Sequence, residues 1–124
     1  MTEKKEELKI YRKGKATHIK GGVIGFEFLD KESNSIVVYV PSLDISGYGK
    51  TVEDAREMVR FCIDSYMTDL SKLPLKEIHH ELFKLGWSKQ KFHTKILSPN
   101  FVPLNKLEEQ GIKDYKELEI PFAA

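Results

Sequence analysis

Cysteine is nearly missing from this chain of 124 residues: Cys62 stands alone, so no internal disulfide supports the fold and a reducing compartment is expected. No leading apolar stretch of the signal-peptide kind is found, and the longest apolar runs, such as Ile36 to Val40, fall far below the roughly 20 residues a spanning helix needs. The expectation is a cytoplasmic protein with no membrane role. Net charge is missing too. With 20 Lys and Arg against 19 Asp and Glu the balance is +1, which gives no overall field toward nucleic acid or anionic lipid, so any basic surface has to be local. Repeats and low-complexity segments are absent.

What is present is the composition of a globular domain, 40% hydrophobic and 31% charged, in a length that fits one unit over residues 1–124. LKIYRK alternates apolar and polar residues as a short strand does. Gly21-Gly22 then punctuates the chain before VIGFEFLD, where Ile24, Phe26 and Phe28 share one face. The polar turn DKESNS leads to SIVVYV, a β-branched run that pairs back as a hairpin and is stopped by Pro41. DISGYG reads as a third short strand weakened by Gly47 and Gly49, or as a turn that these glycines shape.

Thr51 has the position of a helix N-cap, with Asp54 three residues on. Val52, Ala55, Met58, Val59, Cys62, Ile63, Tyr66 and Leu70 recur at helical spacing, which predicts a long helix over about 52–69. Pro74 opens a second helix over about 75–85, closed by Gly86, and a further strand is expected over about 91–97. Residues 98–124 read as an extended tail or arm, with a short helical signal at Leu104 to Gln110 and a last strand signal in ELEIPF. Antiparallel strands followed by helices predict an α+β fold, a three-stranded antiparallel sheet packed by the long helix.

Each catalytic constellation lacks a member. Asp44, the first residue of DISGYG, has no second carboxylate or histidine at a known spacing, although Glu27 and Asp30 are the acids that would have to join it in a hydrolase. His79 and His80 point about 100° apart on a helix and cannot share an ion as histidines four apart do. GYGKT has the Lys and Thr of a phosphate loop, but its first glycine is replaced by Asp44. No catalytic residue, metal or cofactor is expected.

IVVYVPSLDISGYGKTVEDAREMV resembles the N-terminal domain of HicB-family antitoxins, in which a strand ending in Y-V-P-x-L leads through a glycine-containing segment to G-x-T-x-x-E-A at the head of a helix. Tyr39, Val40, Pro41 and Leu43 carry the first part, and Gly49, Thr51 and Ala55 the second, with Asp54 where the family usually has Glu. The resemblance covers about residues 23–70. It implies a degenerate RNase H-like domain that is not an enzyme, assembles as a dimer or higher homo-oligomer, and neutralises a small HicA-type toxin that cleaves messenger RNA. Residues 71–124 show no helix-turn-helix or ribbon-helix-helix, so DNA binding is not implied. Asp44, Tyr48, Lys50, Glu53 and Glu57 are then the candidates for contacting a basic toxin. The alternative is RNA or single-stranded nucleic-acid binding, with Lys89, Lys91 and Lys95 on phosphates and Trp87, Phe92 and His93 interleaved to stack on bases.

Overall fold

One long strand organises the chain. In the computed structural model, which describes residues 6–90 and 93–124, β2 (Ala16–Asp30) is 15 residues long and pairs with three other strands. Around it the order is β1 (Glu7–Lys13), β2, β3 (Ser35–Val40), β4 (Ile45–Gly49), α1 (Val52–Ser71), α2 (Leu75–Lys84), β5 (Trp87–Gln90), β6 (His93–Pro99), α3 (Pro103–Glu109) and β7 (Lys116–Ala123). Every pairing is antiparallel, and the fold is α+β as expected.

The sheet has seven strands rather than three. Two misreadings explain the difference. Gly21-Gly22 does not break the chain: both residues stay extended inside β2, paired to Leu8 and Glu7 of β1 on one side and to Phe122 and Pro121 of β7 on the other. The tail is no free arm. β7 lies along β2 from Lys116 against Glu27 to Ala123 against Lys20, and puts Ile120 and Phe122 into the core. The expected strand over 91–97 is the second arm of a hairpin, β5–β6, that begins at Trp87.

The register shows how β2 serves so many partners. β7 holds one edge of it over residues 20–27, so β1 on residues 16–22 and β3 on residues 26–30 must share the opposite edge, end to end. Between them the backbone of residues 23–25 has no strand partner on that side. A backbone N–H buried there would need another acceptor.

Helices cover both faces unequally. α1 and α2 close the larger core, in which Leu8, Ile19, Val38, Ile63, Met67 and Leu82 are fully buried. Burying a side chain of this kind is worth about 1.5–3 kcal/mol. On the other face α3 closes a smaller cluster, in which Leu107 is buried with Ile24 and Phe26, and Phe28, Tyr39 and Leu104 pack around them. Among the described residues no helix covers this second face over the N-terminal half of β2 and the β1 and β6 strands that follow it in the sheet. Both long helices start and stop where their end residues dictate. Asp54 N–H donates to Thr51 Oγ1 at 3.1 Å. Gly86 takes a left-handed φ of +97°, and a Cβ there would also strike the Phe101 ring at 2.7 Å. No described helix is long and apolar enough to cross a membrane.

Candidate functional site

The segment from Val38 to Ala55 builds one continuous surface because α1 returns along β4 in direct contact with it. A Cβ on Gly49 would lie 2.9 Å from Ala55 N, and one on Gly47 would lie 2.8 Å from Ala55 O and from Val59 Cα. The two glycines thus face the helix backbone, two residues apart on one side of an extended strand. Neither has a left-handed φ, so their task is close approach rather than a turn. The turn falls earlier, over residues 41–44, with Asp44 N–H donating to Pro41 O and Asp44 itself at φ 53°.

The five residues expected to meet a partner are distributed along this surface. Asp44 is exposed at one end, beside Tyr39, whose hydroxyl is pushed up first by burial and then by the Asp44 charge. Tyr48 is exposed by 60% at the free edge of the sheet, and its N–H is turned outward to Met58 Sδ at 3.4 Å. Lys50, at the other end, folds over the β2–β3 turn and donates to Ser33 O, Asn34 O and Ser35 Oγ. Glu53 and Glu57 lie exposed on the first turns of α1. Asp44 and Lys50 are separated by the length of β4, about 20 Å at the rise of an extended strand. The structure therefore sets Asp44 and Lys50 at opposite ends of the surface and turns the Lys50 ammonium onto the β2–β3 turn.

Sequence reasoning missed the largest feature of this surface. Phe61 is 70% exposed, one turn after Met58 on the outer side of α1. Glu57 precedes it by four residues and Asp64 follows by three, both exposed, so an aromatic ring projects from carboxylates on neighbouring positions of the helix face. The signal was present, since Phe61 falls outside the apolar stripe that Ala55, Val59 and Ile63 define. The cations of α1 point elsewhere. Arg56 makes an ion pair with Glu27 at 2.7 Å, and Arg60 donates to Pro121 O at 3.4 Å, both toward β2 and β7.

The acids weighed for catalysis are likewise dispersed. Glu27 is held by Arg56, Asp30 accepts from Glu32 N–H and Ser33 Oγ in the β2–β3 turn, and Asp44 faces Tyr39. A different carboxylate is buried. Glu6, only 5% exposed, stands in the gap between β1 and β3 and accepts Ile24 N–H at 2.8 Å, the group that strand pairing leaves over. Ser42 Oγ donates to the same Oε2 at 2.6 Å, and Ser42 O accepts Trp87 Nε1–H at 2.7 Å. Oε1 has no hydrogen-bond partner among the described residues. Burial pushes the Glu6 carboxyl above its ordinary value; the bonds from Ser42 and Ile24 lower it, and the Glu117 charge raises it again. The group borders an open cleft of ≈ 650 Å³, walled by Ile24, Phe101, Val102 and Glu117.

This network removes Trp87 from any stacking role, for its ring is 1% exposed and its N–H is spent on Ser42. The expectation of a base-stacking Trp87 is corrected on that ground: an indole at the start of β5 fills the core. Lys89 and Lys95 are exposed, His93 opens β6, and Lys91 and Phe92 lie outside the described residues. His79 stacks on Phe83 at 5.7 Å, and its imidazole is lowered first by burial and then by the Lys89 charge. Among the described residues no group of three His, Cys, Asp or Glu is placed to hold a metal. No family model, curated protein or solved structure matches the chain.

Proposed function

We propose that this protein is a non-enzymatic interaction module of the HicB-like kind, and that the outer side of α1 together with the β4 edge grips a small basic protein. The observation that carries the reading is Phe61, exposed by 70% beside Glu57 and Asp64, with Glu53 one turn before them. A protruding aromatic supplies the anchor that dominates most interfaces, and surrounding carboxylates select a cationic partner and speed its approach. The resemblance of residues 23–70 to HicB antitoxins supports a HicA-type toxin as that partner, and an antiparallel β2–β3–β4 unit followed by α1 is the arrangement such a resemblance implies. Self-association as a dimer or higher oligomer belongs to the same proposal.

The test is co-expression and pull-down with the product of an adjacent reading frame that encodes a small basic protein with a Gly-Ser-His segment. Wild-type chain should retain that protein, and Phe61→Ala and Glu57→Lys should each lose it while keeping the wild-type circular dichroism. Retention undiminished in both variants would remove α1 from the interface. Light scattering on the free chain measures the oligomer.

A further inference from the structure

Part of the second sheet face is covered by no helix among the described residues. Across the β1–β2 hairpin, Tyr11 pairs with His18 and Lys9 with Lys20. Leu8, Ile10 and Ile19 point into the core, so Lys9, Tyr11, Lys13, His18 and Lys20 project together from the opposite face. The Tyr11 and His18 rings stack, with centroids 5.3 Å apart and planes 23° from parallel. The ammonium groups of Lys20 and Lys9 stand 5.3 and 6.0 Å from the Tyr11 centroid. His18 Nδ1 lies 3.1 Å from Ala124 O, an oxygen that can only accept, so Nδ1 carries the proton and the ring is held in place. Lys15 adds a further cation at the exposed hairpin turn. Three acids share the face: Glu7, two residues from Lys9 and lining one shallow hollow with Lys9 and Lys20, and, farther along, Glu119 and Glu117 opposite Ile24 and Phe26.

We propose that this face binds single-stranded RNA, one base extending the Tyr11–His18 stack while Lys9, Lys13, Lys15 and Lys20 take the flanking phosphates. A bare lysine patch would attract any polyanion; an ordered pair of stacked rings set among lysines on an antiparallel sheet suits a strand whose bases are unstacked and available. The net charge of +1 does not oppose this, because five cations, Lys9, Arg12, Lys13, Lys15 and Lys20, stand close together in one hairpin. The site is separate from the α1–β4 surface and stands or falls apart from it.

Fluorescence anisotropy of the full chain with a labelled oligouridylate of about 12 nucleotides tests it. Four phosphate contacts predict that affinity falls roughly 50-fold between about 50 and 200 mM salt. Tyr11→Leu should weaken binding about tenfold, whereas Tyr11→Phe, which keeps the ring, should leave it unchanged. The double variant Lys9→Ala, Lys20→Ala should reduce the slope of log affinity on log salt by about 1.4. Lys13→Glu, at an exposed position that folding does not need, should weaken binding in the same direction, and Phe61→Ala should leave it unaltered. The proposal is overturned by the absence of salt-sensitive RNA affinity, by binding that ignores Tyr11→Leu, or by binding that ignores the lysine variants. Binding to vesicles containing phosphatidylserine without binding to the oligouridylate would also overturn it, assigning the face to a membrane surface.

Discussion

Replacing Gly47 by Ala probes the contact on which the α1–β4 surface depends. The added methyl would stand 2.8 Å from Ala55 O and from Val59 Cα, with Val59 N closer still. These are backbone atoms, which cannot swing aside, and such contacts become comfortable only near 3.5 Å, so with Val59 N the nearest of them the helix must retreat by about 1 Å. A gap of 0.5–1 Å forfeits a quarter to a half of each dispersion contact, here around Ala55, Val59 and Ile63. Overpacking of this kind costs about 1–3 kcal/mol. The rigid neighbours place Gly47→Ala at the upper end, and the smaller unfolded-state entropy of Ala returns about 0.5 kcal/mol. The expected loss is about 2–3 kcal/mol, a fall in Tm of about 10 °C for a domain of this size. Gly14→Ala is the comparison: its φ is +65° with nothing within 4 Å of the added Cβ, so only backbone strain of about 1 kcal/mol applies. Urea unfolding measures both. If Gly47→Ala loses less stability than Gly14→Ala, α1 does not press on β4 and the account of this segment is wrong.

Glu6 gives a prediction in pH. Because its carboxyl is raised in the fold above the ordinary 4.5, the native state holds that proton more tightly than the unfolded state. Its contribution is therefore full below the unfolded value and is lost as pH rises through the raised native value. Glu6→Gln should gain on wild type as pH increases across that window, and a stability difference that does not change with pH in urea titrations would refute the burial argument. Trp87→Phe leaves Ser42 O buried without its donor and should cost about 1–3 kcal/mol, read from the urea midpoint. Thr51→Ala removes the acceptor of Asp54 N–H and should cost about 1 kcal/mol, with Thr51→Ser close to wild type. A thermal scan of the three chains is sufficient.

The elements that rest on local chemistry were readable in advance. Thr51, Pro74 and Gly86 mark helix ends because a cap, a fixed φ and a left-handed φ are properties of single residues. The stripe from Ala55 to Leu70 marks α1 for the same reason. What could not be read was pairing between distant strands. Gly21 and Gly22 have the composition of a turn, yet β1 and β7 hold them extended from both sides, and no local preference reports that. Trp87 failed as a stacking candidate because lysines surround it in sequence, while in space it meets Ser42. Among the partner candidates, Glu53 and Glu57 were found from the polar side of the helix. Phe61 was overlooked, since a pattern search collects apolar residues that agree with the stripe and passes over one that does not.

The sequence by itself determined the helices, the strand character of β1, β3 and β7, and the capped start of α1, because each depends on residues within a few positions of one another. Only the tertiary structure decided that β2 carries β1 and β3 on one edge and β7 on the other, that Glu6 fills the gap between the first two, and that Tyr11 and His18 meet among lysines on an open face. Those arrangements depend on closing long loops, whose outcome is set by the burial and hydrogen bonding of the whole sheet rather than by any one segment.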